Sequence, residues 1–363
     1  MSVRSPAVRP LSFRLVPVRP LRAALAAAFA LALTACATPS TSLQQAAPGS
    51  TQAAVAAQSQ PSQVAQLSSW NAGSNRERII DFVRRVTTPG SADYVAPVDR
   101  LAVFDNDGTL WAEKPQYPSV FFYFDRIREL APANPAWRDD RVLRAIIDRD
   151  EAALANISIP EILRIATLAE TGVSQEEFRA YAQHWLATAK HPVLGRPYAE
   201  LVYQPMLELL DYLRANGFKT YISTGAFEEL TRVLAPVYGI PPEQVIASRW
   251  KMRFETTAQG TRVVRLPEVD FYNNTANKPV SIEQFLGRRP ILTVGNSDGD
   301  LGMMAYTADR KGPSLAILID HDDAAREYQY TAGAERAVAQ AAQRGWVTVS
   351  MRRDWRTVYP AAR

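Results

Sequence analysis

Four short stretches of this 363-residue chain hold side chains whose types and spacing could do chemistry. They are Asp105-Asn106-Asp107-Gly108-Thr109, Ser223-Thr224-Gly225, the single Lys278, and Gly295-Asn296-Ser297-Asp298-Gly299-Asp300. A carboxylate with an ordinary pKa near ~3.9 is ionised at neutral pH and can attack phosphorus, which gives Asp105 the character of a nucleophile. A second carboxyl two residues on, Asp107, can protonate a departing alkoxide and then take a proton from water, worth about 10²–10⁴-fold in rate. Gly108 frees the backbone to turn so that amides at Gly108, Thr109 and Gly225 can face an anion. Thr224 offers a hydroxyl at an expected helix start, where free N–H groups also favour anions. Lys278 adds a fixed cation. Two anions brought together repel unless a hard cation lies between them, which implies Mg²⁺ held by Asp105, Asp107 and the Asn296 loop.

The elements around these stretches alternate. Leu101 to Phe104 is a short apolar run flanked by charge, as expected of a buried parallel strand. Further strands are expected at Phe218 to Ile222, Ile291 to Val294 and Leu315 to Ile319, with a hairpin of Val245 to Phe254 and Arg262 to Leu266 turning at Gly260. Helical spacing marks Asn75 to Val86 and a helix opened by Pro205 and closed by Gly217. Between the first two strands the chain reads as helical throughout, with apolar periodicity in 119–130, 141–148, 159–170 and 174–189. Strands separated by helices predict an α/β fold, a mostly parallel sheet with helices on both faces. In such sheets ligands sit at the carboxyl ends of the strands, and the four stretches fall at or next to such ends.

Taken in order, the four stretches resemble the four motifs of the haloacid dehalogenase-like hydrolase superfamily. Phe104-Asp105-Asn106-Asp107-Gly108-Thr109-Leu110 carries most of that resemblance. It implies a Rossmann-like core spanning 70–111 and 200–363 with a helical cap inserted at 112–199, as in phosphoserine phosphatases. It also implies a phospho-Asp105 intermediate and a small phosphorylated metabolite as substrate. An acid at 107 favours phosphate esters over haloacids. One departure stands out: the family's fourth motif usually opens Gly-Asp, and here Asn296 replaces the acid. The expectation is that Asp298 swings in to compensate and that Asp300 takes the second acidic place, helping to hold Lys278 or a metal-bound water.

Rival readings share these residues. Gly295-Asn296-Ser297-Asp298-Gly299 also matches the Gly-x-Ser-x-Gly elbow of serine esterases, which would make Ser297 a nucleophile and His321 its base. A non-catalytic binding protein on the same fold is a third possibility. Asp320-His321-Asp322-Asp323 could form a second metal site or an acidic helix start. The aromatic run Phe121 to Phe124 reads as core, with room for one ring to line a pocket.

Composition narrows the setting. The chain has 41 Lys+Arg against 37 Asp+Glu, but Arg4, Arg9, Arg14, Arg19 and Arg22 precede residue 36, where there is no acid. Beyond that point 36 basic residues face 37 acidic ones, so no nucleic-acid partner is expected. The basic start, the apolar Ala23 to Ala35 and Leu33-Thr34-Ala35-Cys36 resemble a bacterial lipoprotein signal (1–35) with a lipobox. Cys36, the one cysteine, would then carry lipid and attach the protein to a membrane of the cell envelope, facing the periplasm, with the outer membrane expected from Ala37. Residues 36–69 hold no charge and few large apolar groups, as a disordered tether does.

Overall fold

The computed structural model describes residues 67–361. The signal segment, Cys36 and nearly all of the expected tether lie outside that range. Seven strands form one sheet: β1 (Leu101–Phe104), β2 (Lys219–Phe227), β3 (Val245–Thr257), β4 (Gly260–Phe271), β5 (Leu292–Gly295), β6 (Leu315–Asp320) and β7 (Val347–Ser350). Their order is β4-β3-β2-β1-β5-β6-β7. Every pairing is parallel except β3 with β4. Residues of β1 alternate between two apolar layers: Ala102 and Phe104 join one, Val103 the other. Helices therefore cover both faces, which explains why β1 reads as continuously apolar.

The helices are α1 (Ser74–Thr87), α2 (Pro118–Leu130), α3 (Arg141–Asp148), α4 (Glu151–Leu154), α5 (Ile159–Glu170), α6 (Gln175–Thr188), α7 (Gln204–Ala215), α8 (Glu228–Leu234), α9 (Asn277–Leu286), α10 (Leu301–Ala308) and α11 (Glu335–Arg344). Helices α2 to α6 make up the insertion between β1 and β2. Two of them begin with a reciprocal cap that the sequence spells out: Ser158 with Glu161, and Ser174 with Glu177. Each cap contributes about 1 kcal/mol.

The insertion leaves and rejoins the core through two adjacent extended segments. Ala112 N donates to Leu201 O at 3.0 Å, and Tyr203 N to Leu110 O at 2.8 Å. On its far side the insertion meets the hairpin: Gly172 N donates to Arg265 O at 3.1 Å, and the indole of Trp250 donates to the buried Glu170 at 2.9 Å. Among the described residues no helix is long and apolar enough to cross a membrane.

Two expectations about local structure change. β2 runs past Ile222 to Phe227, and α8 starts only at Glu228, so Thr224 lies in a strand and not at a helix start. The segment after β6 forms no acidic helix; it is an irregular loop until α11. In β2 tertiary pairing overrides the local signal, since β3 offers partners to Ser223 and Phe227; after β6, Asp322 and Asp323 bond Ser350, Arg352 and Arg326 instead of starting a helix.

Candidate active site

β1 has β2 on one side and β5 on the other, so the chain's path reverses there and a crevice opens at the strand ends. A cavity of about 300 Å³ occupies that crevice. Asp105, one residue past β1, lies on its floor with Asp107, Thr224 and Lys278. Lys278, in the first turn of α9, places Nζ 2.6 Å from Asp105 Oδ1 and 2.6 Å from Asp300 Oδ1. The three groups are buried. Burial works against the Lys278 charge, but Asp105 and Asp300 outweigh it and hold the ammonium above its ordinary value. Burial, followed by the Asp300 carboxylate, pushes the Asp105 carboxyl well up, against the pull of Lys278.

Asp107 has a different environment. Burial and the neighbouring Glu113 carboxylate push its pKa up to about 6, while the Trp111 indole N–H, 2.9 Å from Oδ1, pulls the other way. Two carboxyls two residues apart are thus held differently: one gripped by an ammonium, one poised to gain or lose a proton near neutrality.

Backbone geometry explains two glycines. Gly108 has φ +73°, and a Cβ there would come within 2.1 Å of Asn296 Nδ2 and 2.8 Å of Glu113 Cδ. At Gly295 a Cβ would meet that of Asp300 at 2.5 Å. Gly108 therefore serves close packing. Its N–H donates to Trp111 O and that of Thr109 to Asn106 O, so neither amide is presented to the cavity as expected. Gly225 does line the cavity, and its carbonyl accepts from Ser248 Oγ at 2.7 Å.

The loop after β5 also departs from expectation. Asn296 faces the first stretch: its Oδ1 accepts from Thr109 Oγ1 at 3.0 Å, and its Nδ2 donates to Glu113 Oε1 at 3.4 Å. Asp298 does not swing in beside it. One of its oxygens accepts from Ala337 N at 2.8 Å, in the first turn of α11. Asp300 uses both oxygens, one on Lys278 and the other on the N–H groups of Asn296 and Ser297 and on Ser297 Oγ. It organises the loop and holds the lysine.

Ser297 Oγ bonds Asp300 and the N–H of Gly299 and meets no histidine. His321 instead donates from Nε2 to the Gly108 carbonyl at 2.8 Å, with Glu327 3.3 Å from Nδ1 and Tyr203 hydrogen-bonded to Glu327 in turn. The esterase constellation is absent, and so is a second metal site at 320–323: Asp322 caps toward Ser350 and Arg352, and Asp323 pairs with Arg326.

Two residues of the site, Glu113 and Asn273, are not marked by the sequence, and a third, His321, takes a role other than the two the sequence suggests. Glu113 is a third buried carboxylate on the cavity wall. His321 supports the turn at Gly108 from behind. Asn273 donates to Ser223 Oγ and to the carbonyls of Thr224 and Ile246, and accepts from Ser281 on α9, so it locks the end of β2 to the helix that carries Lys278. Spacing gives no signal for Glu113 or Asn273, nor for the support that His321 gives to Gly108. In the aromatic run, Tyr123 is the ring that reaches the cavity.

Solved structures of similar fold are known. A protein from Anaerococcus prevotii described as conserved and functionally unknown is similar in structure, with TM-score 0.51 and 16% identity over 78% of this chain and 93% of that one. A protein of unknown function from Bordetella pertussis Tohama I gives TM-score 0.46 and 17% identity over 69% and 97%. A phosphoserine phosphohydrolase-like protein from Francisella tularensis gives 0.34 and 16% over 61% and 88%. No curated protein matches the sequence. The haloacid dehalogenase-like hydrolase family matches residues 102–305, more than half of the chain, from the middle of β1 through α10 and across all four stretches, and the chain belongs to that family.

Proposed function

We propose that the protein is a phosphomonoester hydrolase in which Asp105 takes the phosphoryl group and Asp107 is the acid and base. The observation that carries this reading is that both carboxyls line one cavity with Lys278 Nζ 2.6 Å from Asp105. Lys278 holds one Asp105 oxygen and leaves the other to attack, and its charge also offsets that of the incoming phosphoryl oxygens. Asp107, with a pKa about 6, is partly protonated near neutrality and can give that proton to the leaving oxygen. As the carboxylate it then takes a proton from the water that attacks phospho-Asp105, which breaks the acyl phosphate and restores Asp105.

A divalent cation fits the donors present. Among the described residues no three carboxylate, imidazole or thiolate side chains converge on one point. Mg²⁺ also accepts amide and backbone oxygens, however, and the set here is mixed: the Asp105 carboxylate, the Asp107 carbonyl and Asn296. Glu113, 3.4 Å from the Asn296 amide, returns to this corner the negative charge that an aspartate at 296 would have supplied. The cation, when bound, supplies the positive charge that keeps the buried Asp105 ionised and draws the phosphate in.

Hydrolysis of p-nitrophenyl phosphate should require Mg²⁺, stop on EDTA treatment and return on adding Mg²⁺, while Ser297→Ala leaves the metal dependence intact. Turnover indifferent to chelation would overturn the reading. The lipoprotein-like start supports a second part of the proposal, attachment to an envelope membrane through Cys36. Cys36→Ser should move the protein from the membrane fraction to the soluble one, and a variant that still sediments with membranes refutes the anchor.

A further inference from the structure

Helix α5 presents apolar side chains both to the core and to the cavity. Ile165 and Ala169 are buried in the core, as one face of an amphipathic helix should be. A stripe of Ile159, Ile162, Leu163 and Ala166, at spacing i, i+3, i+4 and i+7, lines the cavity, and the last three of them also pack on the core. Val120 and Tyr123 of α2 and Phe227 at the end of β2 continue the same wall. Among the described residues, no charged side chain of α2 to α6 lines the cavity, although those helices are rich in charge on their other surfaces. These side chains form one contiguous apolar wall beside the carboxylates, and Ile159 at its end is 51% exposed.

We infer that the leaving group of the substrate is an uncharged, apolar alcohol, aryl or branched alkyl, which packs on the α5 stripe while its phosphate meets Asp105 and Lys278. This rests on the phosphatase reading and adds the substrate class to it. The cavity supports one occupant, because the stripe is continuous with the carboxylate floor and about 300 Å³ suits a phosphate with one small apolar group. Besides Asp105, Asp107 and Lys278 on the floor, the charged groups of the cavity are Glu113, Asp298 and the exposed Arg336, none of them on α2 to α6. A zwitterionic leaving group would have to find its partners there and leave the stripe uncovered.

The test separates the inference from the reading beneath it. Binding of two non-hydrolysable phosphonates to the Mg²⁺-loaded protein is measured by calorimetry: benzylphosphonate, and 2-amino-3-phosphonopropanoate, which the polar rim would favour. Benzylphosphonate should bind at least about tenfold more tightly, since one methylene in an apolar pocket is worth roughly 10–200-fold. Ile159→Asp, at an exposed position that folding does not need, should remove that preference, and Ile159→Leu should keep it. Equal binding, tighter binding of the amino acid analogue, no binding of either compound, or a preference unmoved by Ile159→Asp would each overturn the inference. The hydrolysis of benzyl phosphate and O-phosphoserine is then compared. Benzylphosphonate binding without hydrolysis of any ester keeps the apolar site and removes the phosphatase reading. Preferred hydrolysis of O-phosphoserine keeps the phosphatase and removes the apolar leaving group.

Discussion

Replacing Asp105 by Asn should reduce phosphate ester hydrolysis to the rate of the ester in buffer alone, with the fold retained. The amide has nearly the same shape, and its oxygen can still accept from Lys278, so the loss would report chemistry and not collapse. What disappears is an anionic oxygen able to form a covalent bond to phosphorus, and nothing else on the cavity floor is placed to substitute. Asp300 is occupied by Lys278 and the loop after β5. Asp107 is turned onto Trp111. Acid quenching of wild-type protein during turnover, followed by mass spectrometry, should find phosphate on the peptide containing Asp105 and no label in Asp105→Asn. Comparable turnover by the variant would end the proposal that Asp105 is the nucleophile. A melting temperature within a few degrees of wild type is the control that makes the result readable.

Asp107→Asn should cost about 10²–10⁴-fold, and the cost should depend on the leaving group. A proton from Asp107 matters most when the departing oxygen is a strongly basic alkoxide. A p-nitrophenolate leaves as an anion and needs little help. Benzyl phosphate hydrolysis should therefore fall toward the upper end of that range, and p-nitrophenyl phosphate hydrolysis much less in its first step. The second step, attack of water on phospho-Asp105, loses its base in either case. Acid quenching of the variant with p-nitrophenyl phosphate should accordingly catch more phosphorylated protein than wild type does. An equal loss for both esters, with no build-up of phosphorylated protein, would remove Asp107 from the proton transfers and leave it a structural partner of Trp111.

These expectations begin from residues that could be found by reading along the chain. The strand before Asp105 is legible because both faces of the sheet are covered, so its four residues are apolar without alternation. The insertion is legible because its helices carry regular apolar spacing. Strand ends are less legible. β2 and the hairpin extend beyond their apolar runs because neighbouring strands supply backbone partners for residues that have no intrinsic strand signal.

The site divides along the same line. The sequence by itself determined which groups could do chemistry and that they would gather at strand ends, because a parallel sheet leaves its carboxyl edge open whatever the details. It also showed that Asn296 stands where the family places an acid. Only the tertiary structure decided how that departure is met. Asp298, two residues away, is drawn off by the N-terminus of α11, and the carboxylate that meets the Asn296 side-chain amide is Glu113, 183 residues earlier. His321 reaches Gly108 across 213 residues and Lys278 reaches Asp105 across 173. Hydrogen bonds act over about 3 Å, so which partners meet depends on how the elements pack and not on distance along the chain.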